Sequence, residues 1–577
     1  MKVVLCWHMH QPEYRDLDTG EFAFPWTYLH AIKDYVEMIA HLEANPGACA
    51  VVNFAPVLLD QIDVYCHRID AYFNKAAPLP DPILSALVQT DFEQQGAERL
   101  VLLKKMLRVN RQRVVERFPA YANIAAMIDW IDSNPFAINY CTDQLLIDVA
   151  VWYHLGWIAE TTRRSDDRVQ ALQQKGRDFS LNDRHIVLRI VHELMSSIVP
   201  RYRALAEQGR VELAMSPYAH PITPLLLDLG VAREAMPDAP LPHNAAYPGG
   251  AERALWHLQQ GLETFERHFG VRPQGCWPSE GAISAASLEM LSRQGFRWVA
   301  SGETVLRNSL ALSESEAGFH SPGDCLHHVY RAFDVDCFFR DDGISDNIGF
   351  NYADWHGDDA VANLIHDLDT IEKHCETPGD GVVSIILDGE NAWEYYPENG
   401  FYFLDALYRK LSEHPTIELT TFARIADDRS LQRVPLPRIV AGSWVYGTLS
   451  TWIGSADKNR GWDLLCDAKH AFDTVAESGA LDAKRREAAI RQLAICEGSD
   501  WFWWFGDYNP AAAVSDFEQL FRRHLSRLYR LLELPEPPAL TQTISRGSGD
   551  PARGGVMLHG QAHSDDGHPH PHKVERE

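Results

Sequence analysis

Seven short apolar runs, separated mostly by stretches of helical periodicity, constrain the fold of this 577-residue chain more than any other feature of its sequence. Each run ends in polar or aromatic residues, and the alternation is typical of repeated strand and helix units. It predicts an α/β fold whose functional side chains follow the carboxyl ends of buried strands. The runs are Val3 to Trp7, Ala50 to Ala55, Val211 to Met215, Gly275 to Trp277, Trp298 to Ser301, Asp336 to Phe339 and Val382 to Leu387.

Two regions outside this pattern are predicted to be helical. The region of about residues 81–208 has helical periodicity and is interpreted as an insertion in a catalytic domain over 1–424. From 425 to 538 the chain is again mostly helical, which predicts a carboxyl-terminal helical domain. Residues 539–577 are rich in Gly, Ser, Pro, Asp and His, and their shortage of apolar side chains predicts a disordered tail.

Composition and charge argue against several classes of protein. The net charge of -27, without clustered Lys and Arg, argues against a nucleic-acid binder. No stretch approaches the roughly 20 apolar residues of a membrane span, and the amino terminus is interpreted as a strand and not as a signal peptide. The ten cysteines are scattered singly, which fits reduced thiols. We therefore expect a cytoplasmic protein with neither a membrane nor a nucleic-acid partner.

Acidic residues follow two of the predicted strands. Glu280 ends the sequence Gly-Cys-Trp-Pro-Ser-Glu, and Asp388 ends the sequence Val-Val-Ser-Ile-Ile-Leu-Asp. Cleavage of a glycosidic bond needs one carboxylic acid to protonate the leaving oxygen and one carboxylate to attack or stabilise the anomeric centre. Glu390 lies two residues beyond Asp388, but Gly389 permits a turn, so the spacing leaves open which of the two acids faces substrate.

Histidines and a further acid accompany two other strands. After the first strand, the sequence Trp-His-Met-His-Gln-Pro carries His8 and His10, whose imidazoles can bind sugar hydroxyls or, at this spacing, a metal ion. Glu212 and His220 lie around the third strand. A lone Glu within such an apolar run is unusual, because burying an unpaired carboxylate is costly.

In this order, the four segments resemble the conserved regions of glycoside hydrolase family 57, and the match is closest to its α-amylase and amylopullulanase-like members. The motifs Trp-Pro-Ser-Glu, Asp-Gly-Glu-Asn-Ala-Trp-Glu and Ser-Pro-Tyr-Ala-His-Pro are specific in combination, although each motif alone is weak. The resemblance continues into Gly-Ser-Trp at 442–444 and Glu-Gly-Ser-Asp-Trp-Phe-Trp-Trp at 497–504. It implies an incomplete (β/α)7 barrel and a retaining mechanism.

The resemblance also implies roles for individual residues. Glu280 is expected to be the nucleophile and Asp388 the general acid and base. Independently of the resemblance, Arg340 and Asp346 follow a predicted strand and are expected near the site, either in contact with substrate or as a pair that braces a loop. For the cluster 500–504, packing as an interdomain aromatic core is an equally weighted alternative. Substrate contacts and a cover over the cleft are expected from His10, Glu212, His220, Trp277, Trp444, Asp500 and Trp501.

The implied activity is hydrolysis of α-1,4 bonds, with α-1,6 bonds left open, in starch, glycogen or maltodextrin, without a cofactor or a metal. The same residues would serve a 4-α-glucanotransferase or a branching enzyme. An alternative from another class is a zinc-dependent α-mannosidase or polysaccharide deacetylase on a similar barrel, with His8, His10 and Asp388 as ligands. A glycan-binding protein on an inactive barrel is the third alternative.

Overall fold

The computed structural model describes residues 1–92, 96–317, 319–322, 325–375 and 379–549. Each of the seven predicted runs contains a strand of one sheet, and the described residues supply three further short strands. The strands are β1 (Lys2–Met9), β2 (Ala50–Phe54), β3 (Val211–Met215), β4 (Gly275–Cys276), β5 (Trp298–Gly302), β6 (Val329–Ala332), β7 (Val335–Arg340), β8 (Val382–Asp388), β9 (Glu418–Thr420) and β10 (Arg433–Pro435).

Seven parallel strands close into a barrel. They follow the order β7-β5-β4-β3-β2-β1-β8, and one parallel pair, Arg340 with Ser384, joins β7 to β8. Strand β6 is antiparallel to β7, β10 pairs with β6, and β9 pairs with the start of β1. Because the barrel strands are covered on both faces, they appear in the sequence as continuous apolar runs. The predicted α/β fold and (β/α)7 barrel are confirmed, and the narrow β7–β8 contact makes the barrel incomplete.

Helices cover the barrel and form the two helical regions. None of the described helices is both long and apolar enough to cross a membrane. The helices are α1 (Trp26–His30), α2 (Val36–Ala44), α3 (Pro56–Lys75), α4 (Pro82–Ala86), α5 (Gly96–Lys105), α6 (Pro119–Ser133), α7 (Asp143–Trp157), α8 (Glu160–Ser165), α9 (Asp167–Lys175), α10 (Leu181–Glu207), α11 (Thr223–Leu227), α12 (Gly250–Phe269), α13 (Ala285–Arg293), α14 (Glu303–Ala317), α15 (Asp342–Asp346), α16 (Gly357–His374), α17 (Phe401–Glu413), α18 (Phe422–Asp427), α19 (Ala456–Ser478), α20 (Ala483–Cys496), α21 (Ser499–Trp504) and α22 (Ala511–Leu531).

Helices α4 to α10 lie between β2 and β3, in the region where an insertion is predicted, and α19 to α22 lie in the carboxyl-terminal region. The first part of the predicted tail packs onto the latter. Leu540 and Ile544 are buried, and the Ser545 hydroxyl donates to Asp457 at 2.8 Å. The disorder predicted from Ala539 therefore does not extend to residues 539–549. Residues 550–577 lie outside the described residues, and the domain boundary at 424 stays a prediction.

Candidate active site

The two acids predicted to do the chemistry lie at the carboxyl ends of barrel strands. Asp388 is the last residue of β8, and Glu280 follows β4 within the 3-10 turn Ser279–Gly281. Both side chains line one cleft, whose other walls come from the insertion and from the carboxyl-terminal helices. The fold thus brings Glu280 and Asp388 together from distant parts of the chain.

The backbone of Glu280 adopts a left-handed conformation, with φ at 59°. This conformation is strained for a residue with a Cβ atom, and it persists only where neighbouring groups enforce it. The Gly281 N–H donates to the Pro278 carbonyl at 2.8 Å, and the Trp444 N–H donates to the Glu280 carbonyl at 3.1 Å. These bonds fix the turn that carries the Glu280 carboxylate to the cleft.

The cleft has two lobes that meet at the acid pair. The first lobe has a volume of about 420 Å³ and the second a volume of about 290 Å³. Glu280, Asp388 and Asn391 line both lobes. The first lobe is also lined by His10, Trp26, Glu390, Asp500, Trp504 and Phe517. The second lobe is also lined by Arg340, Phe350, Tyr395, Trp444 and Trp503.

Burial raises the pKa values of both acids. It raises the pKa of Asp388 to about 6, against the opposing hydrogen bond from Asn391 Nδ2 at 2.8 Å. Burial, and then the Asp388 charge, raise the pKa of Glu280 well above its usual range, while the Trp444 indole N–H at 3.0 Å from Oε2 opposes the rise. Because two charges repel strongly in a desolvated cleft, the two ionisations are coupled and the pair holds one proton more readily than none. Glu280 has the higher pKa of the two in the free enzyme, so an attack by Glu280 requires this proton to lie on Asp388 in the reactive form.

Asp500 reaches the first lobe from α21 and binds His10. His10 Nε2 lies 3.0 Å from both carboxylate oxygens of Asp500. The His10 ring stacks on the ring of His220 with centroids 3.8 Å apart, and His220 Nδ1 lies 2.9 Å from the Ser499 hydroxyl. Burial, and then His10 and His8, lower the pKa of His220 well below its usual value, so this ring is neutral. His220 is absent from the lining of both lobes and supports His10.

Glu390, the alternative to Asp388 at the end of β8, also lines the first lobe. Its Oε1 accepts hydrogen bonds from Gln11 Nε2 at 3.1 Å and from the Tyr35 hydroxyl at 3.3 Å. Burial, and then the Asp388 charge, raise the pKa of Glu390 well above its usual range. Since Asp388 lines both lobes and Glu390 lines one, Asp388 is the better placed of the two acids for chemistry at the junction.

A buried ionic cluster around Glu497 fixes the segment that carries Asp500. The Glu497 carboxylate accepts hydrogen bonds from Arg253 Nε at 2.8 Å, His257 Nε2 at 2.8 Å and the Tyr247 hydroxyl at 2.5 Å. Burial alone would raise the pKa of Glu497, but the Arg253 charge and the hydrogen bonds of His257 and Arg253 lower it to about 2. The cluster therefore ties the end of α20 to α12, on the barrel, next to the segment 499–504.

We expect Glu497→Gln to lower the free energy of unfolding by about 3–5 kcal/mol, because Arg253 would stay buried without its counter-charge. The pKa of about 2 lies below the ordinary 4.5, so this contribution is present above pH 4.5 and is lost as the pH falls toward 2. Urea unfolding of wild type and variant at pH 7 and pH 3 measures it. A loss equal at both pH values, or no larger than that of the exposed control Glu289→Gln, would contradict the role of the cluster.

Glu212 lies at the end of the barrel opposite the cleft, which corrects its expected role as a substrate contact. Its carboxylate accepts hydrogen bonds from Trp298 Nε1 at 2.5 Å and from the Ala423 N–H at 2.8 Å. Strand β3 continues for three residues beyond Glu212, which is about 10 Å toward the cleft. Burial raises the pKa of Glu212 to about 7. The carboxylate thus accepts from two part-buried donors at the amino-terminal end of the barrel.

For Glu212→Gln we expect kcat/KM to stay within about twofold of wild type, while the free energy of unfolding falls by about 1–3 kcal/mol. The amide keeps the size of the side chain but presents an N–H group to one of the two part-buried donors. Paired measurements of kcat/KM and of the thermal midpoint test this expectation. A large fall in kcat/KM without a fall in the midpoint would restore Glu212 as a substrate contact.

Trp277 and Trp501 are expected substrate contacts that the structure places in packed interiors. The Trp277 ring is fully buried and meets the Trp444 ring edge-on, with centroids 5.2 Å apart. Trp501 donates its indole N–H to the Ile495 carbonyl at 2.7 Å and packs against Phe521 of α22. Neither ring lines a lobe. Trp501 therefore follows the alternative in which the cluster packs as an aromatic core. The rings of Trp503 and Trp504 line the lobes in its place.

Arg340 braces the segment after β7 and borders the second lobe. Its guanidinium donates to Asp342 at 2.7 Å, to Asp346 at 2.6 Å and to the Ile386 carbonyl at 2.8 Å. The guanidinium carbon also lies 5.4 Å from the Trp444 ring centroid. The expected Arg340–Asp346 pair is therefore present as a loop brace, and it supports the indole that donates to Glu280.

Sequence reasoning offered the cluster 500–504 as a cover over the cleft but missed most of the other residues that line the cleft from outside the barrel. Trp504 lies four positions after Asp500, and residues at this spacing share one face of a helix. That spacing is a local signal that predicts Trp504 beside Asp500. Residues 107–113 of the insertion also line the lobes, but their position depends on contacts with distant parts of the chain, so no local signal indicates it.

One group of described residues could hold a metal ion, because ligand atoms of His10, His220 and Asp500 lie within 4.8 Å of one another. This group differs from the zinc set expected from sequence, which includes His8 and Asp388. The rings of His10 and His220 are stacked within 21° of parallel, and His10 Nε2 is already bound to Asp500. Stacked rings do not direct their nitrogens to one tetrahedral centre, so the group suits hydrogen bonds to hydroxyls better than zinc.

A parallel barrel with an acid pair at its strand ends, beneath a cleft lined by aromatic and polar side chains, defines the class of barrel enzymes that act on glycosidic bonds. The family model of glycosyl hydrolase family 57 matches residues 4–437. The chain therefore belongs to glycosyl hydrolase family 57.

Solved structures with a similar fold include three enzymes. A family 57 branching enzyme from Thermococcus kodakaraensis, in complex with glucose, is 15% identical, with a TM-score of 0.57 over 92% of this chain and 90% of that chain. A family 57-type branching enzyme from Pyrococcus horikoshii is 15% identical, with a TM-score of 0.57 over 94% and 93%. An α-amylase from Thermotoga maritima is 13% identical, with a TM-score of 0.54 over 94% and 95%. At these identities the likeness shows the fold alone.

Proposed function

We propose that this enzyme is a retaining glycoside hydrolase that cleaves α-glucosidic bonds, principally α-1,4, in starch, glycogen or maltodextrin. The observation that carries the proposal is that Glu280 and Asp388 are the two carboxylates that line both lobes. A sugar chain bound across the lobes has a bond at their junction, between these two acids. Retention follows when one acid of such a pair attacks carbon and the other handles the proton.

In the first step, the ionised Glu280 carboxylate attacks the anomeric carbon while Asp388 gives its proton to the departing glycosidic oxygen. Trp444 binds Glu280 Oε2, so Oε1 is the oxygen that we assign to the attack. The products are a glycosyl ester of Glu280 and a shortened glucan. Asp500 contributes negative charge near the anomeric centre, where positive charge develops in the transition state.

In the second step, Asp388 takes a proton from water, and that water displaces Glu280 from the anomeric carbon. The ester no longer carries the negative charge that helps to retain a proton on the pair, so the pKa of Asp388 falls after the first step. Asp388 can therefore act as an acid first and as a base afterwards. Two inversions give a product with the configuration of the substrate.

Transfer of the glycosyl group to a sugar, as in a 4-α-glucanotransferase or branching enzyme, is the second candidate. The second lobe favours it, because Phe350, Tyr395, Trp444 and Trp503 offer aromatic surface to an acceptor sugar beside the intermediate. An acceptor held there would compete with water for the glycosyl ester.

Product analysis of maltoheptaose digests, with and without chelator, tests both candidates. Products shorter than the substrate, released first as α-anomers in an NMR time course, support the hydrolase. Products longer than the substrate support transfer, and new α-1,6 signals from amylose support branching. Loss of activity with chelator and its return with zinc would overturn the double displacement in favour of the metal-dependent alternative. Absence of turnover on every α-glucan would overturn both candidates.

A further inference from the structure

Residues 107–113 of the insertion, here named the strap, border both lobes of the cleft. Residues 107–109 line the first lobe, and residues 110, 112 and 113 line the second. The strap follows α5 and runs into the π-helical turn Arg111–Val115. One short segment therefore passes along both sides of the acid pair.

An ion pair joins each end of the strap to another wall of the cleft. Arg108 Nη1 lies 3.0 Å from Asp516 Oδ2 on α22, and Arg113 Nη2 lies 3.1 Å from Asp354 Oδ1 in the turn Tyr352–Asp354. The first pair lines the first lobe and the second pair lines the second lobe. Their side chains are 41%, 36%, 22% and 89% exposed, in that order. Since these side chains both line a lobe and meet solvent, each pair lies at a rim of the cleft.

The middle of the strap is attached by a part-buried hydrogen bond. The Asn110 N–H donates to Glu394 Oε1 at 3.0 Å, and Glu394 is 8% exposed. Glu394 lies in the segment after β8, close to Asp388. The two rim pairs, by contrast, are screened by salt and contribute little to stability, as is usual for exposed ion pairs. The ends of the strap can therefore open while its centre stays attached.

The rim pairs have different consequences for short and long glucans. An oligosaccharide that ends within the lobes occupies the cleft with both pairs closed. A polymer whose chain continues beyond the lobes has to cross a rim, where a closed pair joins the strap to the opposite wall. Binding of an interior segment therefore requires at least one pair to open, and the free energy of opening lowers the apparent affinity for the polymer.

We infer that the Arg108–Asp516 and Arg113–Asp354 pairs determine specificity, by holding the strap across the cleft and favouring short oligosaccharides over interior segments of long chains. The inference rests on the proposed action on α-glucans and adds to it the chain length that the cleft accepts. The acting groups are the two rim pairs. The acid pair keeps its chemistry whether they are open or closed.

Charge exchange across the first rim tests the inference. We expect Arg108→Glu, and separately Asp516→Arg, to raise the ratio of kcat/KM on soluble amylose to kcat/KM on maltoheptaose by about two- to fivefold, the range of an exposed ion pair. The double variant restores an attractive pair of reversed polarity, so its ratio should return to within about 1.5-fold of wild type. The exchange of Arg113 with Asp354 should give the same pattern at the second rim.

The matched control is the pair Lys104–Asp132, which lies in the same insertion. Lys104 Nζ lies 2.9 Å from Asp132 Oδ2, and the two side chains are 54% and 45% exposed. Neither residue lines a lobe. Lys104→Glu should leave the ratio unchanged. Salt provides a second check, because raising NaCl from 20 to 500 mM should raise the ratio of wild type and should raise it less in Arg108→Glu, where only the Arg113–Asp354 pair remains to be screened.

Hydrogen exchange of the backbone amides of 107–113 separates failure of this inference from failure of the proposed activity, since it needs no substrate. Faster exchange at these amides in Arg108→Glu, reversed in the double variant, supports the opening of the strap. Unchanged exchange would overturn it. If exchange responds as expected but the amylose ratio does not, the strap opens without selecting substrates and the inference fails. If no α-glucan is turned over, the proposed function fails, and with it the specificity that rests on it.

Discussion

A Glu280→Gly variant is expected to lose about 10⁴-fold or more in kcat on maltoheptaose, because it lacks the carboxylate that we propose attacks the anomeric carbon. Glycine is the informative replacement at this position. The backbone φ of 59° is strained for glutamate and unstrained for glycine, so the variant should fold at least as stably as wild type. A preserved thermal midpoint would then separate lost chemistry from lost structure.

Azide provides a test of which role Glu280 has. A small anion fits the space left by the side chain and attacks from the face that Glu280 occupies, so Glu280→Gly with sodium azide should form a β-glycosyl azide. The product is identified by NMR. Glu280→Gln fills the same space and should be as inactive but not rescued. A kcat of Glu280→Gly within tenfold of wild type, or an α-glycosyl azide as its product, would remove Glu280 from the role of nucleophile.

Asp388→Asn is expected to lower kcat/KM on maltoheptaose by about 10²–10⁴-fold, the range for a removed general acid. A 4-nitrophenyl α-maltoside should lose much less in the first step, because nitrophenolate departs without a proton. The pH dependence has a definite sign. Asp388 must be protonated to donate, so the kcat/KM of wild type should fall as the pH rises past its pKa of about 6, and the variant should lack this alkaline limb.

Measuring kcat/KM of wild type and Asp388→Asn on the two substrates from pH 4.5 to 8.5 gives both the loss on each substrate and the pH dependence. The exposed carboxylate of Glu266 offers a control. Glu266→Gln should keep the wild-type ratio of rates on the two substrates and the wild-type fall of kcat/KM at alkaline pH. An equal loss on both substrates would assign to Asp388 a role in binding and not in proton transfer. In that case Glu390, which also lines the first lobe, becomes the next candidate for the acid.

The barrel was predictable because its strands are buried on both faces and therefore appear as continuous apolar runs. The position of Asp388 at the end of such a run gave its place at the cleft. Spacing alone did not decide between Asp388 and Glu390, since Gly389 allows either direction. The family resemblance implied Asp388, and the arrangement of the two lobes supports that choice. A sequence motif also shows which residues are neighbours along the chain, but it does not show how far a side chain lies from the carboxyl ends of the barrel strands. Glu212 shares a motif with His220, yet it lies about 10 Å from the carboxyl end of β3.

The helical parts of the site were harder to predict, because helices bring residues to the cleft through long-range packing. Trp501 and Trp504 differ in role although both belong to one short aromatic run. Both rings pack against α22, Trp501 beside Phe521 and Trp504 on Phe517, but only Trp504 also lines a lobe. The strap residues 107–113 include three arginines, but their place beside the cleft depends on partners at 354, 394 and 516, which lie far away in the sequence.

The Glu497 cluster has a consequence for the order of events during synthesis. The barrel strands are all made by residue 388, but Asp500 and its anchor at Glu497 leave the ribosome only after a further hundred or so residues. At about 5–20 residues per second, the barrel exists for several seconds or more before its site can be completed. The nascent enzyme should therefore be unable to act on glucan until α20 has docked on α12. We expect activity to be absent while the barrel is synthesised and to appear in a single step after this docking.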